Sequence, residues 1–408
     1  CLLDALRADG ADGDVPALLG RVRLGASAAA LVDATAAHAL DFDDFAFSNH
    51  PSAVLVPAIL AAAARSGADG RRMAISYVAG YEVWCDLFLR EPDHYYARGW
   101  HPTAVLGPVG AAAAAAVALG LDEEGCTHAL ALAASAGGGV FENFGTMAKP
   151  LHGGRAAASG AAAALLAAAG MRASPAALEG PAGLMLALSP ERRVDLDTPP
   201  RLGETWHCAA RGLNTKRHPV VGAAQRAADM AIALREAGAP GRAEDVARIE
   251  VEVSERHARV MPFAIPASGL EAKFSLPFIV ACALRHGRVG LHEVSDAGAA
   301  DPELRALAQR VEIRTTAAAD PNWPDAAPSD VLTVHARDGR RFDAAPLRRA
   351  RGHADNPLST EELRAKFADC ARYGGVEETA ATRLFEALQR VEALPGPHAL
   401  AAALAATP

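Results

Sequence analysis

The segment "VGAAAAAAVALGL" (109–121) carries almost no side-chain bulk on any helical face. A helix built from it has no broad apolar stripe to lay on a core while its other face meets water. It suits burial where neighbouring helices approach closely on several sides. Related texture recurs in "VLVPAILAAAARSG" (54–67) and "GGRAAASGAAAALLAAAG" (153–170), with a bulkier helical pattern in "RRMAISYVAGYEVWCDLFLRE" (71–91). Each run is stopped by glycine or a polar cluster. Residues from about 15 to 190 therefore predict a large all-α domain of tightly packed helices.

The pattern changes near residue 212. "ARIEVEVSE" (247–255) alternates β-branched with polar residues, "VEIRTT" (311–316) follows the helical "DPELRALAQR", and "DVLTVHARDGRRFDA" (330–344) places strand residues around an Asp338-Gly339 turn. These predict a smaller α+β domain. Beyond it, Ser359 and Glu362 have capping-box spacing, and two amphipathic helical patterns follow. The expected organisation is a helical domain over 1–211, an α+β lid over 212–353, and C-terminal helices over 354–408 that return to the first domain.

With 408 residues the chain is long for one core, which agrees with two domains. Its net charge of −8 and lack of a long Lys/Arg run predict neither a nucleic-acid nor a membrane partner. The six cysteines are scattered without a C-x-x-C pair, which argues against a zinc site or disulfide framework and fits a cytoplasmic location. The apolar runs fall short of a strongly apolar span. The chain opens on Cys1, so residues ahead of it are expected, and any targeting signal there lies outside this sequence.

Four polar stretches interrupt otherwise apolar surroundings. In "HALDFDDFAFSNHPSA" (38–53), Asp41 and Asp44 are three apart and would share a helical face, with His50-Pro51 opening the next segment. Helix capping and pairing of His50 with a helix dipole would explain them, and so would chemistry; no metal-binding spacing is present. In "RGWHPTAVLGP" (98–108), Arg98 and His101 precede a helix and could hold a carboxylate, or His101 could cap its own helix. "NFGTMAKPLHGGRAAASG" (143–160) offers Lys149, His152 and Arg155, without a nucleotide-binding fingerprint. "LNTKRHPVVGAAQRAAD" (213–229) brings Lys216, Arg217 and His218 to the expected domain junction, either as a ligand cleft or as a solvated basic loop. Neither G-x-S-x-G nor H-E-x-x-H occurs.

Taken in order, "HALDFDD…HPSA", "WHPTAVLGPVGAAAAAA", "AKPLHGGRAA", "TKRHP", "EAKFSLPFIVACAL" and "GHADNPLSTEELRAKF" resemble the MmgE/PrpD family, which includes 2-methylcitrate dehydratases, cis-aconitate decarboxylases and iminodisuccinate epimerases. The resemblance implies a homodimer of two-domain subunits, mainly α, with an active site in the interdomain cleft. It also implies a small di- or tricarboxylate substrate and no metal or organic cofactor. It places active-site groups at Asp41, His50, His101, Lys149 and Lys216.

Departures accompany the matches. Phe45 stands where the decarboxylase pattern has Thr, Val221 where it has His, Ala224-Gln225 where the family often has Thr-His, and Phe278 where it has Tyr. These point away from cis-aconitate decarboxylation itself and, with Arg98, mark Phe45, Val221, Gln225 and Phe278 as expected substrate-contacting positions. The shared chemistry is proton movement at a carbon beside a carboxylate, which calls for cations to stabilise charge and for a positioned base. Lys149, Lys216 and Arg98 are the expected cations. His101 is the expected acid or base, His50 its partner, and Asp41 the group orienting an imidazole. A lyase most like a 2-methylcitrate dehydratase is the leading expectation. An epimerase of an amino- or imino-dicarboxylate and a non-catalytic carboxylate-binding module are the alternatives.

Overall fold

The computed structural model describes residues 1–93, 95–189, 191–321 and 326–405. Its larger helices are α1 (Ala26–His38), α2 (Pro51–Ser66), α3 (Gly70–Leu89), α4 (Pro102–Leu119), α5 (Glu123–Ala133), α6 (Ala148–Ala168), α7 (Gln225–Glu236), α8 (Leu276–His286), α9 (Thr360–Tyr373), α10 (Glu378–Leu388) and α11 (Pro397–Ala405). The strands are β1 (Asp12–Ala17), β2 (Val22–Leu24), β3 (Val246–Ser254), β4 (Val311–Thr316), β5 (Val331–Ala336) and β6 (Arg341–Asp343). The fold is mainly α, with a small α+β part. Proline opens α2 and α4, where a missing N–H costs nothing, and left-handed Gly67 and Gly120 end them.

Helix α4 lies at the centre of the helical part, against α2, α3, α5 and α6. It is long and apolar enough to cross a membrane, and 89% of it is buried inside the protein. Small residues set the interhelical distance: a Cβ on Gly160 of α6 would lie 2.3 Å from the Ala111 Cβ and 2.6 Å from the Ala112 nitrogen of α4. The all-α expectation fails at β1 and β2, which form an antiparallel pair near the N-terminus. β1, "DGDVPA", carries Asp, Gly and Pro, which strands disfavour, and β2, "VRL", has only three residues, so neither shows a strand pattern.

The α+β part is a four-stranded sheet in the order β4-β3-β5-β6, with β3 parallel to β4 and antiparallel to β5. Its buried face packs on α7 and α8. Ser359 and Glu362 form the capping box of α9 in both directions. Beyond α10, the Gly70 amide of α3 donates to the Leu394 carbonyl at 2.7 Å, so the C-terminal segment lies on the helical part.

Gly160→Ala is expected to force α4 and α6 apart and cost about 1–3 kcal/mol, as overpacking does. Gly138→Ala, whose added Cβ meets nothing within 4 Å, is expected to be near neutral. Thermal melts of the two variants check this, and equal melting temperatures would contradict the close approach.

Candidate active site

The stretch after α1 is not a helix. The chain leaves α1 at His38 and turns through Asp41 with φ +50°, then through Phe47 and Ser48 at +38° and +57°. Asp41 and Asp44 therefore do not share a helical face, and His50 precedes the first turn of α2 instead of closing a helix. The loop is stitched to the segment leading into the small domain by paired backbone hydrogen bonds between Phe45 and Asn214, at 3.1 and 2.9 Å.

That crossing brings Lys216 to Asp41. The Lys216 ammonium donates to Asp41 Oδ2 at 2.9 Å and to the Asp41 carbonyl at 2.8 Å. Lys149, from the first turn of α6, donates to Asp41 Oδ1 at 2.5 Å and to His38 Nε2 at 2.9 Å. Burial alone would raise the Asp41 carboxyl; the two ammoniums overcome it and hold Asp41 well below the usual carboxylate range. An ammonium has three N–H groups. Two are spent on each lysine; both residues line the cavity, but the Lys216 side chain is fully buried, so it is Lys149, with a slightly exposed side chain, whose third N–H is nearer a ligand.

Asp43 organises the imidazoles. Its Oδ2 accepts from His38 Nδ1 at 2.9 Å and from His50 Nδ1 at 2.8 Å. Because Lys149 donates to His38 Nε2, His38 carries its proton on Nδ1, and the same carboxylate fixes that tautomer in His50. His50 Nε2 is then a lone-pair nitrogen on a side chain at the cavity wall. Burial pushes His50 down to about 3, so it is neutral at neutral pH, while Asp43 is held well below its ordinary range against burial by the two imidazoles. His101 is fully buried behind Phe144, its ring 6.4 Å from that of His50. Its Nδ1 meets His152 Nδ1 at 3.2 Å, and its Nε2 has no hydrogen-bond partner among the described residues.

The cavity, about 630 Å³, lies between the helical part and the small sheet domain. His50, Lys149, Lys216, Phe45, Val221 and Gln225 reach its wall. Asp41 and His101 stand behind that wall. Two expected positions fall elsewhere: Arg98 pairs with Glu191 at 2.5 Å outside the wall, and Phe278 is fully buried in the core of the small domain. Phe278 lies in the first turn of α8, where a large apolar side chain is drawn into the packing beneath the sheet. The Gln225 carboxamide is spent on the backbone of residues 217, 218 and 220.

Sequence reasoning gave no site role to His38, Asp43, Lys273 and Lys366. The Lys273 ammonium donates to the Leu40 carbonyl at 2.8 Å, and Lys366 donates to the Phe42 and Lys216 carbonyls at 2.7 Å each. All four lie inside the motif strings quoted above, so the signal was present without a spacing rule to separate them. Ring nitrogens of His38, His50 and His101 lie within 4.8 Å of one another, the reach of a metal site. Both His38 nitrogens are already engaged, one by Asp43 and one by the Lys149 ammonium, so an ion there would have to displace a fixed positive charge. The second group within reach, His38, Asp41, Asp43 and His50, shares the engaged His38 and has both Asp41 oxygens held by Lys149 and Lys216, so the donor set fits proton handling better than metal binding.

Residues 1–197 match the MmgE/PrpD N-terminal domain, and residues 218–390 match the MmgE/PrpD C-terminal domain. A cis-aconitate decarboxylase of Mus musculus is 30% identical over 368 residues, 85% of this chain and 72% of that protein. A cis-aconitate decarboxylase of Homo sapiens is 30% identical over 366 residues, 85% of this chain and 73% of that protein.

The buried neutral imidazoles make the fold acid-sensitive. An unfolded histidine takes up its proton near 6.5, whereas burial lowers folded His50 to about 3 and His152 to about 4. The unfolded state therefore binds more protons below 6.5, and stability is lost as pH falls toward those values. Asp44, raised to about 6 by burial, acts in the opposite sense between 3.8 and 6. The lowered histidines, with His38 and His101 among them, outnumber the raised Asp33, Asp44 and Asp330. Urea midpoints are expected to be lower at about pH 5 than at about pH 7, with a shallower decline in His152→Asn.

Proposed function

The chain belongs to the MmgE/PrpD family, and from that membership we propose that it is a cofactor-independent lyase for a small polycarboxylate. The observation that carries this reading is the lone-pair nitrogen of His50, fixed by Asp43, at a cavity wall it shares with Lys149, whose ammonium has one N–H beyond its bonds to Asp41 and His38, and with Lys216. The lysines bind a substrate carboxylate and stabilise the enolate-like charge that develops on it. His50 Nε2 takes the proton from the adjacent carbon. A bound carboxylate also raises the His50 pKa from its low unliganded value, because an opposite charge favours the imidazolium.

The leaving group is hydroxide from the next carbon, giving an alkene and water once it is protonated. The His50 imidazolium formed by the abstraction is the proposed proton donor to the leaving hydroxyl, since His101 is fully buried behind the wall and does not line the cavity. Phe45 and Val221 give the wall apolar surface, which suits a branched hydroxy-tricarboxylate of the 2-methylcitrate type. The relatives are named cis-aconitate decarboxylases, and in a decarboxylation the breaking C–C bond supplies the charge that C–H abstraction supplies in a dehydration, so the same cations would serve either.

Proton NMR in deuterium oxide with 2-methylcitrate, citrate, cis-aconitate and amino-dicarboxylates tests the reading. Growth of alkene signals from 2-methylcitrate is the expected result. Carbon dioxide release from cis-aconitate would make the chain a decarboxylase, exchange of an α-proton without net reaction an epimerase, and saturable binding alone a non-catalytic module. His50→Ala and Lys149→Ala are each expected to lower turnover by about 10²- to 10⁴-fold while the fold survives. Full activity in either of them removes that residue from the scheme.

A further inference from the structure

The loop that carries Asp41 has three consecutive carbonyls outside any helix or sheet, and each accepts from a different lysine. Leu40 accepts from Lys273 at 2.8 Å, Asp41 from Lys216 at 2.8 Å, and Phe42 from Lys366 at 2.7 Å. The lysines come from three separate places: the turn before α8, the segment leading into the small domain, and α9 near the C-terminal end of the chain. A backbone turned through a left-handed Asp41 cannot satisfy these carbonyls locally, and buried carbonyls are rarely left unpaired.

Lys366 does more than fill one acceptor. Its ammonium also donates to the Lys216 carbonyl at 2.7 Å and sits 4.0 Å above the Phe42 ring. One cation thus holds the backbone of both the loop that carries Asp41 and the residue whose ammonium grips the Asp41 carboxylate. Burial lowers the Lys366 ammonium to about 8, so it keeps its charge at neutral pH.

We infer that Lys366 is a positioning residue, through which α9 fixes the Asp41–Lys216 ion pair and so sets the geometry of the cavity's two carboxylate-binding lysines. Lys366 does not line the cavity, so it acts through the groups it holds. The inference rests on the proposed lyase reading for its effect on turnover, but not for its effect on the loop.

Two measurements on Lys366→Met and Lys366→Arg in the full chain test it. Amide hydrogen exchange is read over residues 39–48 and 214–217. Kinetics use whichever acid the unaltered chain turns over. Lys366→Met is expected to exchange faster in those two segments alone. It is also expected to lose about 10²-fold in kcat, the cost of misplacing reacting groups by roughly 1 Å, with a smaller change in KM. Lys366→Arg keeps the charge and donors, and is expected to recover most of both protection and kcat. Unchanged exchange in a folded Lys366→Met overturns the positioning role, whatever the substrate proves to be. Faster exchange with unaltered kcat overturns the catalytic consequence. If Lys366→Met does not fold, the Arg variant decides: native protection and activity support the role, and native protection with lost activity overturns it. If no acid is turned over at all, the lyase reading fails while the exchange measurement still decides the positioning role.

Discussion

Burying the Asp41 carboxylate between the Lys149 and Lys216 ammoniums takes three ions out of water together. The desolvation cost of such a group is offset only where charges are matched and donors find acceptors, and removing one partner strands the others. This arrangement ties the loop after α1, the start of α6 and the segment leading into the small domain to a single point. The interdomain cavity opens beside it. The left-handed turn at Asp41 is strained for a residue with a Cβ, and the ion pairs hold it in place.

The alanine-rich helices supply the rigidity this point requires. Helices that approach on Gly and Ala contacts have little side-chain freedom to lose and few soft directions in which to move. Lys149 and His152 leave the first turns of α6, whose Gly160 is in tight contact with α4, and His101 precedes the first turn of α4 itself. The imidazoles and the ammonium are therefore placed by two helices that cannot slide past one another without a clash.

Much of the architecture was legible because it rests on local signals. Glycine stops, proline starts, alternation in β3 and the Asp338-Gly339 turn all act over a few residues. The ordered motifs brought Asp41, His50, Lys149 and Lys216 to one site for the same reason that they revealed the family. The failures had different causes. Helical spacing was assumed across Asp41–Asp44, and a single left-handed residue broke it, so the orienting carboxylate is Asp43 while Asp41 holds the lysines. Phe278 shares a motif with Lys273, yet one is drawn into the core and the other toward the loop, which no one-dimensional pattern distinguishes. Lys366 meets Phe42 across 324 positions of sequence, a pairing that only the folded chain can make.

The balance of charge separates what class of ligand the cavity favours from which member it selects. With the imidazoles neutral, the cavity wall carries Lys149, Lys216 and six arginines, Arg211, Arg226, Arg256, Arg348, Arg349 and Arg351, against Glu91 and Asp93, so cations outnumber carboxylates there. A neutral ligand would leave that excess unanswered, whereas a carboxylate answers it. Phe45 and Val221, at the wall, donate no hydrogen bonds from their side chains and can discriminate only by shape. Shape alone is a weak filter, since one methyl group in an apolar pocket is worth about 1–3 kcal/mol. On the proposed reading, charge therefore fixes the substrate class, and the apolar wall adjusts a preference within it.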